Sequence, residues 1–563
     1  MTHKETVSDP LFPAGTQEDW VTLAEATLKG RQIADLARPH EDGFSIEAFY
    51  ASQHHHKVLS DDVAASAARH WVMAQYLDLA EDPKTLNAMI MDELKGGVER
   101  IIFPSGQPLD IISNAMDGVM ADAIVLSFDR PDNMALAFDQ VTSIWADQKT
   151  DPDLARGSLG VPVSPSTWED IRALMTDQKA VLDGLPQLKI MTISGAELHR
   201  RGATTAQELG LILASFVDVM RRSEEAGFNL EDSSARLEID LAIDADLYGN
   251  IAKVRALRMM LTRLCTLCGL DGGDLSSRLH GITSDRMLSR MDPETNMLRS
   301  GTAMLSMALS GLGVLTIRPH DWLTGSSPLS RRIARNVHHL LADESQLNQI
   351  ADPAQGSYFI DNLTYEISDK AWQIFQEIER EGGLAQAEDK GLTNAWFDAA
   401  NAYRQDRVNR GKDAVLGVTI HPVSGADHCP DIIIDGRDGD MRGGSHRPSA
   451  PWEDLADAFR HHKARCLLLD LGPGQSAKAV KRWMDVLGLE VAAMSADDIP
   501  AGLKLVEAAR PHLLVLGNDI KIGEADLSGL SFQPILRNAA SFDGDIIAEM
   551  TGILNKMNEE AQS

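Results

Sequence analysis

The sequence predicts an α/β protein built from two unequal parallel-sheet units. Three observations lead to that reading. Short apolar runs alternate with longer stretches of helical periodicity from about residue 61 to about 410. A Gly-, Asp- and Pro-rich stretch then interrupts the pattern at about 411–452. Beyond it the alternation restarts on a smaller scale. The first unit, roughly 350 residues, is long enough for a (β/α)8 TIM-type barrel with insertions. A doubly wound open sheet fits the same pattern, and periodicity does not separate the two.

Residues 1–60 read as a leader of punctuated helical patterns, from Phe12-Pro13 through Trp20 to Leu28-Lys29-Gly30. His54-His55-His56 lies near its end. Adjacent residues on a helix point in different directions, so the triplet reads as surface histidines rather than a metal site. Within 61–410, Ile101–Phe103, Ile124–Phe128, Ile190–Ser194, Leu237–Ile243 and Val314–Ile317 read as buried strands. Trp168–Leu182, Thr205–Ala226 and Ile251–Cys268 read as helices between them. In 411–452, the run from Gly436 to Gly444 with Pro448 and Pro451 reads as an interdomain linker. Residues 453–563 then supply strands Cys466–Leu469, Leu489–Met494 and His512–Leu516, separated by helices Ser476–Leu487 and Pro500–Ala509. A closing helix runs from about Ile546 to Met557. That order suggests a compact flavodoxin-like domain.

Composition narrows the function classes. Hydrophobic residues at 44% and charged residues at 24% are a globular balance, and with aromatics at 5% the core must rest on aliphatics and Met. Lys and Arg number 53 against 83 Asp and Glu, a net charge of −30 that opposes binding to phosphate backbones or anionic membranes. No nucleic-acid or membrane partner is expected, though a local basic pocket stays compatible. Met1–Pro10 lacks the basic and apolar regions of an export signal, and no apolar run reaches the roughly 18 residues of a spanning helix. A cytoplasmic location is the expectation. Four cysteines are too sparse for a disulfide framework. Cys265 and Cys268 form C-x-x-C, but they close a run in which Ile251, Val254, Leu257, Leu261 and Leu264 recur at helical spacing, so they read as thiols on a buried helix face.

Longer matches carry more information. Arg332-Ile333-Ala334-Arg335-Asn336, Asp352-Pro353, Gly356-Ser357-Tyr358 and Leu363-Thr364 follow one another within RIARN…ESQLNQIADPAQGSYFIDNLT. DPETNMLRSGTAMLSMALSGLG precedes that run and EREGGLAQA follows it. Singly these are ordinary helix and turn chemistry. In collinear order they resemble the barrel of the methylmalonyl-CoA mutase family. DPLFPAGTQEDWVTLAEATLKG, LGVPVSPSTWEDIRALM and RPSAPWEDLADAF…LLLDLGPG are similar to segments of its small (beta) subunits.

The resemblance implies a (β/α)8 TIM-type barrel followed by a flavodoxin-like, cobalamin-binding-type domain. It also implies adenosylcobalamin-dependent interconversion of methylmalonyl-CoA and succinyl-CoA, with the radical chemistry carried by the cofactor. Three positions depart from the catalytic pattern. Catalytic members hold cobalt with a histidine in an Asp-x-His-x-x-Gly loop after the first strand of the small domain. The matching loop here carries Asp470, Gly472 and Gly474, and no His lies between His462 and His512. A lone Gly-x-Gly could also cradle a phosphate, but tight strand-to-helix turns use glycine anyway. The second departure is in Ser-Gly-Tyr-His, whose His contacts the thioester carbonyl. Ser194-Gly195-Ala196-Glu197 stands there instead, and an ionised Glu197 repels the density a donor would stabilise. His199, two residues on, could face similarly on a strand or tight turn. The third is in Trp71–Leu79, where Tyr76 matches a substrate-contacting Tyr but Ala74 replaces an Arg. Read locally, Tyr76 falls equally well on an ordinary helix.

The expectation is a degenerate small domain and a barrel without a working site, hence the non-catalytic small subunit of a heterodimer. Adenosylcobalamin would sit in the large catalytic methylmalonyl-CoA mutase subunit, none in this chain, and the complex would take the acyl-CoA substrate. No residue is assigned a catalytic or metal-binding role. Two alternatives remain. One is a self-sufficient acyl-CoA mutase using cobalamin from this or another chain. The other is a CoA-binding sensor whose barrel still threads a pantetheine arm.

Overall fold

The structure, a computed structural model, describes residues 16–51, 70–270, 278–422, 431–432, 434–435, 440–441, 446–471, 480–496, 499–517, 530 and 534–562. His54-His55-His56 and most of the Gly436–Gly444 stretch lie outside them. Eight parallel strands close into a barrel: β1 (Val72–Tyr76), β2 (Arg100–Phe103), β3 (Val125–Phe128), β4 (Arg156–Pro162), β5 (Leu188–Ser194), β6 (Leu237–Ile243), β7 (Leu279–Thr283) and β8 (Val314–Thr316). β8 pairs back onto β1, so the barrel and not the open sheet is the outcome. Tyr76 ends β1, which corrects the local reading that placed it on a helix.

Barrel strands turn alternate side chains to the helical shell and to the axis. The shell-facing set is apolar: Ile101 and Phe103, Leu126 and Phe128, and Ile239 and Leu241 are buried in one continuous core. Register places the other set side by side, with Ala74 beside Arg100, Ser127 beside Ser158, Thr192 beside Glu238, and Asp240 beside His280. The lower axis is therefore lined with small and polar groups, and Ile102, Ile282 and Val314 form a small apolar cluster among them.

The shell begins with α1 (Gln17–Thr27) in the leader, followed by α2 (Pro83–Lys95), α3 (Met134–Gln148), α4 (Pro165–Asp177), α5 (Gly195–Arg201), α6 (Thr205–Glu225), α7 (Leu247–Leu267), α8 (Thr295–Ser310), α9 (Pro328–His339), α10 (Tyr358–Arg380) and α11 (Leu392–Asn409). Their starts follow the sequence closely. Asp82, Ser164, Thr204 and Ser327 each cap a helix with a side-chain oxygen, and Pro stands in the first turn after three of them. The helix expected over Trp168–Leu182 is broken at Gln178 into Pro165–Asp177 and Lys179–Asp183. Cys265 is buried near the end of α7 and Cys268 caps it, and burial raises both thiols above their ordinary range.

The long collinear motif turns out to brace the barrel. Arg331 donates to the Tyr76 carbonyl at 3.0 Å and to Glu93 at 3.2 Å, and Arg335 donates to Glu93 at 2.6 Å, tying α9 to α2 and to the end of β1. Arg255 on α7 reaches Asp361 at 2.8 Å and Asp352 at 3.2 Å, fixing the Asp352-Pro353 turn and the start of α10.

The smaller unit is a four-stranded parallel sheet of β9 (Arg465–Leu471), β10 (Glu490–Ala496), β11 (Leu513–Leu516) and β12 (Ile535–Asn538), in the order β10-β9-β11-β12. Around it lie α12 (Ala450–His461), α13 (Lys481–Val486), α14 (Ile499–Ala509) and α15 (Ile546–Gln562). Of the helix expected over Ser476–Leu487, the part before Val480 is outside the described residues. One buried carboxylate joins the two units. Glu453 in the first turn of α12 accepts from Arg447 at 2.9 and 2.8 Å, from Ser289 Oγ at 2.8 Å and from the Arg290 backbone at 3.2 Å. Among the described residues, no helix is long and apolar enough to cross a membrane.

Candidate functional site

A cavity of about 290 Å3 opens at the C-terminal ends of the barrel strands, where barrels of this kind carry their sites. Its lining comes from the strand ends and the turns after them. Tyr76 contributes from β1, Arg130 from the turn after β3, and Gly160 from β4. Thr192 and Ser194 come from β5, Asp240 from β6, Arg286 from the turn after β7, and Arg318 and Trp322 from beyond β8.

Local backbone shapes this rim. Gly160 has φ +63°, and a Cβ there would overlap the Phe128 carbonyl oxygen, so glycine is required where β4 shifts register. Arg130, a non-glycine residue, adopts φ +48° and donates its N–H to the Gly160 carbonyl at 3.3 Å. Backbone strain of this kind gathers at functional sites.

The charges are mostly paired. Arg318 is ion-paired with Asp285 and lies over the rings of Tyr76 and Trp322, with centroids 5.5 and 5.0 Å away. Arg200 grips Glu197 with a fork, Nε at 2.8 Å and Nη2 at 3.0 Å. Asp240 accepts from Ser194 Oγ at 2.9 Å and from the Ala196 N–H at 2.8 Å. Burial nevertheless outweighs those hydrogen bonds and pushes its carboxyl up to about 7. Burial also keeps the Tyr76 phenol protonated, pushing it above its ordinary range, with Asp129 adding to the effect.

Below the mouth the axis is closed. Arg100 on β2 and Glu238 on β6 stand four strands apart in a ring of eight and meet across it. Their two contacts measure 2.5 and 2.8 Å, and Ser158 Oγ on β4 donates to Glu238 at 3.0 Å. Burial opposes ionisation of Glu238, but the Arg100 fork prevails and holds it down at about 2. His280 beside them bonds Thr316 Oγ1 at 2.8 Å, and burial, with Arg100 next, pushes its imidazole down to about 3.

Comparison with known proteins agrees with this architecture. The family model described as methylmalonyl-CoA mutase matches residues 132–433. The chain belongs to the methylmalonyl-CoA mutase family. A methylmalonyl-CoA mutase small subunit of Streptomyces virginiae is 29% identical over 73% of this chain and 71% of its own. A probable methylmalonyl-CoA mutase small subunit of Mycobacterium tuberculosis is 30% identical over 77% and 74%. A methylmalonyl-CoA mutase small subunit of Propionibacterium freudenreichii subsp. shermanii is 28% identical over 74% and 70%. At the level of the family, the activity is that of an isomerase.

The two residues matched to the mutase active site both line the mouth, Tyr76 at the end of β1 and Glu197 on α5. Glu197 is not a bare repelling charge, because Arg200 holds it and Arg130 approaches it at 4.0 Å. His199 also reaches the lining of the mouth, but from helix α5 rather than a strand, where two residues turn about 200°. Its side chain is buried, 2.8 Å from Ser284 Oγ, and burial drives the imidazole well below its ordinary range. Asp470 is buried near the end of β9, while Gly472 and Gly474 lie outside the described residues.

The donors of the small lobe do not fit a cobalt ligand at that loop. His461 and His462 end α12, and His512 precedes β11 with its Nδ1 accepting the Arg465 N–H at 3.0 Å. These imidazoles sit at the N-terminal edge of the parallel sheet, opposite the strand ends that carry Asp470. Among the described residues, no group of three or more His, Cys, Asp or Glu is placed to hold a metal ion. Sequence reasoning missed Arg130, Arg286, Arg318 and Asp240 at the rim, and the Arg100–Glu238 plug. One signal existed for the plug: Arg100 opens the apolar run RIIF, and Glu238, with Asp240, interrupts the apolar run LEIDLAI.

Proposed function

We propose that this chain is the small, non-catalytic subunit of a heterodimeric adenosylcobalamin-dependent methylmalonyl-CoA mutase. The observation that carries the reading is the Arg100–Glu238 fork across the barrel axis. A pantetheine arm running along that axis would have to break a buried, charge-assisted pair and leave two bare charges. The same fork speaks against the sensor that threads CoA through the barrel. Glu197, committed to Arg200, offers no donor to a thioester. In this reading adenosylcobalamin belongs to the large catalytic subunit, and no step of the rearrangement runs through this chain.

The proposal includes the division of the chain: a partner-contact arm over 1–60, a barrel over 61–410, a linker over 411–452 and a degenerate flavodoxin-like lobe over 453–563. The strand order of the small sheet supports the last of these. The arm is supported by α1, which buries no side chain on its own chain and leaves Trp20 and Leu23 exposed at 40% and 71%. The names of these three relatives, each a small subunit, support a large partner.

The test is cobalamin binding and turnover by the purified chain, alone and after mixing with a catalytic mutase subunit. The expected result is no stoichiometric cobalamin uptake and no isomerisation alone, with a stable complex on mixing. Turnover by the chain without any catalytic sister would replace this reading with that of a self-sufficient mutase.

A further inference from the structure

We propose that Glu41 and Asp42 form a latch that seats the leader arm on the barrel and fixes it before a partner subunit docks. The inference deepens the proposed function, because it rests on reading residues 1–60 as a partner-contact arm. The latch is the tip of a hairpin. Arg38-Pro39 pairs antiparallel with Ser45-Ile46, the His40 N–H donates to the Phe44 carbonyl at 2.8 Å, and Gly43 turns the chain at φ +83°. His40 stacks on Phe44 with ring centroids 4.2 Å apart. A hairpin with two-residue strands is too small to hold its shape in water unaided. Charge holds it here.

Both tip carboxylates engage the barrel. The Asp42 side chain, 3% exposed, accepts the Ala206 N–H at 3.2 Å in the first turn of α6. Thr204, which caps that helix, gives Asp42 a second hydrogen bond. A helix N-terminus favours a carboxylate, through its unpaired amides and its dipole. Glu41 pairs with Arg404 of α11 at 2.9 Å. Arg404 also donates to the Gly202 carbonyl, and Arg286 donates to the carbonyls of His199 and Ala203 at 3.1 and 3.2 Å. Two guanidiniums therefore converge on the turn between α5 and α6. Among the described residues, no carboxylate of the barrel lies within 4 Å of either one, and Glu41 acts on both. The leader thus supplies a counter-charge that the barrel lacks.

The rest of the arm is left for a partner. Trp20 of α1 stacks on Phe49, just past the hairpin, with centroids 4.3 Å apart, and Leu23 points outward. α1 carries Glu18, Asp19 and Glu25 and no basic residue, so it fits an apolar surface of the catalytic subunit rimmed by cations. An arm ordered in advance loses less freedom on docking, which strengthens binding without a new contact.

The experiment is hydrogen exchange of the full chain, followed by its affinity for a catalytic mutase subunit. Glu41→Gln combined with Asp42→Asn should speed exchange over residues 17–46 by about tenfold or more while the barrel strands stay protected. Affinity for the catalytic subunit should fall by about tenfold. Arg404→Gln should loosen the same residues, and adding it to the double variant should loosen them no further. Glu47→Gln, at an exposed acid of the same arm, should change neither readout. Wild-type exchange in the arm of the double variant, or faster exchange spread through the barrel, overturns the latch. A loosened arm with wild-type affinity overturns its part in docking. A wild-type chain that forms no complex overturns the proposed function instead, and arm exchange then tests the latch by itself.

Discussion

The barrel and the small lobe are both parallel sheets wrapped by helices, yet they place their charge in opposite ways. In the small lobe each face of the sheet is apolar, with Cys466, Leu468 and Val515 packed into one cluster and Leu467, Leu469 and Leu514 into another. Its best-buried ion pair lies outside the sheet, where Glu453 joins α12 to Arg447 and to the barrel loop at Ser289 and Arg290. The barrel carries its ion pair inside, on the axis. An open sheet must present two faces to helices, so both need apolar side chains. A closed barrel has one face that only its own side chains fill, and a matched pair can replace a layer of hydrophobics there. The comparison teaches that closure, not strand chemistry, sets which charges a sheet tolerates.

The strongest way to break the comparison is at the junction. Glu453→Ala leaves the buried Arg447 and Arg290 facing each other without their shared carboxylate. Loss of one partner from a buried network costs about 3–5 kcal/mol; Arg447 loses its carboxylate while Arg290 keeps Asp454 and Asp457, which places this variant at the lower end. Urea unfolding should lose its single transition, and limited proteolysis should cut between the barrel and the small lobe. A wild-type proteolysis pattern would show that the lobes are held by other contacts.

Comparable in size is the axis. Glu238→Ala should destabilise the barrel by about 3–4 kcal/mol, because Arg100 is left charged and buried. The double variant Arg100→Met with Glu238→Leu should recover all or most of that loss, since matched apolar side chains replace a buried pair at little cost. Thermal unfolding of the three proteins separates pairing from packing. A double variant as unstable as the single one would mean that the plug fits by shape rather than charge.

The smallest effect sharpens the contrast within one strand. Glu238 and Asp240 are two residues apart on β6, but their carboxyls sit at about 2 and about 7. Glu238, held below its unfolded value, adds stability that is lost as pH falls from about 4 to about 2. Asp240, held above its unfolded value, adds stability at low pH that is lost as pH rises from about 4 to about 7. Asp240→Asn should therefore flatten the decline in stability between pH 4 and 7 while leaving the acid limb in place. An unchanged slope between those pH values would place the proton elsewhere.

The strands that sequence reasoning found are those with apolar runs, such as Ile101–Phe103 and Leu237–Ile243. It did not single out β1, β4 and β7, and the reason is the polar axis. Ala74, Ser158, Gly160 and His280 interrupt the hydrophobic run that a buried parallel strand ordinarily shows. Residues such as Gly157 and Gly160 make β4 read as a turn, although its backbone pairs on both sides. Of the site, Tyr76 and Glu197 were legible because a family resemblance pointed at them. Arg130 and Arg286 carried no such mark, since an arginine in a loop is ordinarily a solvated side chain.

From residues alone came the two parallel-sheet units and the buried faces of the longest helices, while the missing imidazole near Asp470 and the glutamate in place of a donor came from the family resemblance. These are matters of residue type and local period, which the chain states directly. Only the tertiary structure decided that the first unit closes into a barrel, that Arg100 and Glu238, 138 residues apart, meet on its axis, and that Arg130 and Arg286 reach the lining of one mouth. The physical reason is common to all three. Each depends on which strands become neighbours or opposites in the ring, and strand order is fixed by the packing of the whole shell rather than by any segment of it.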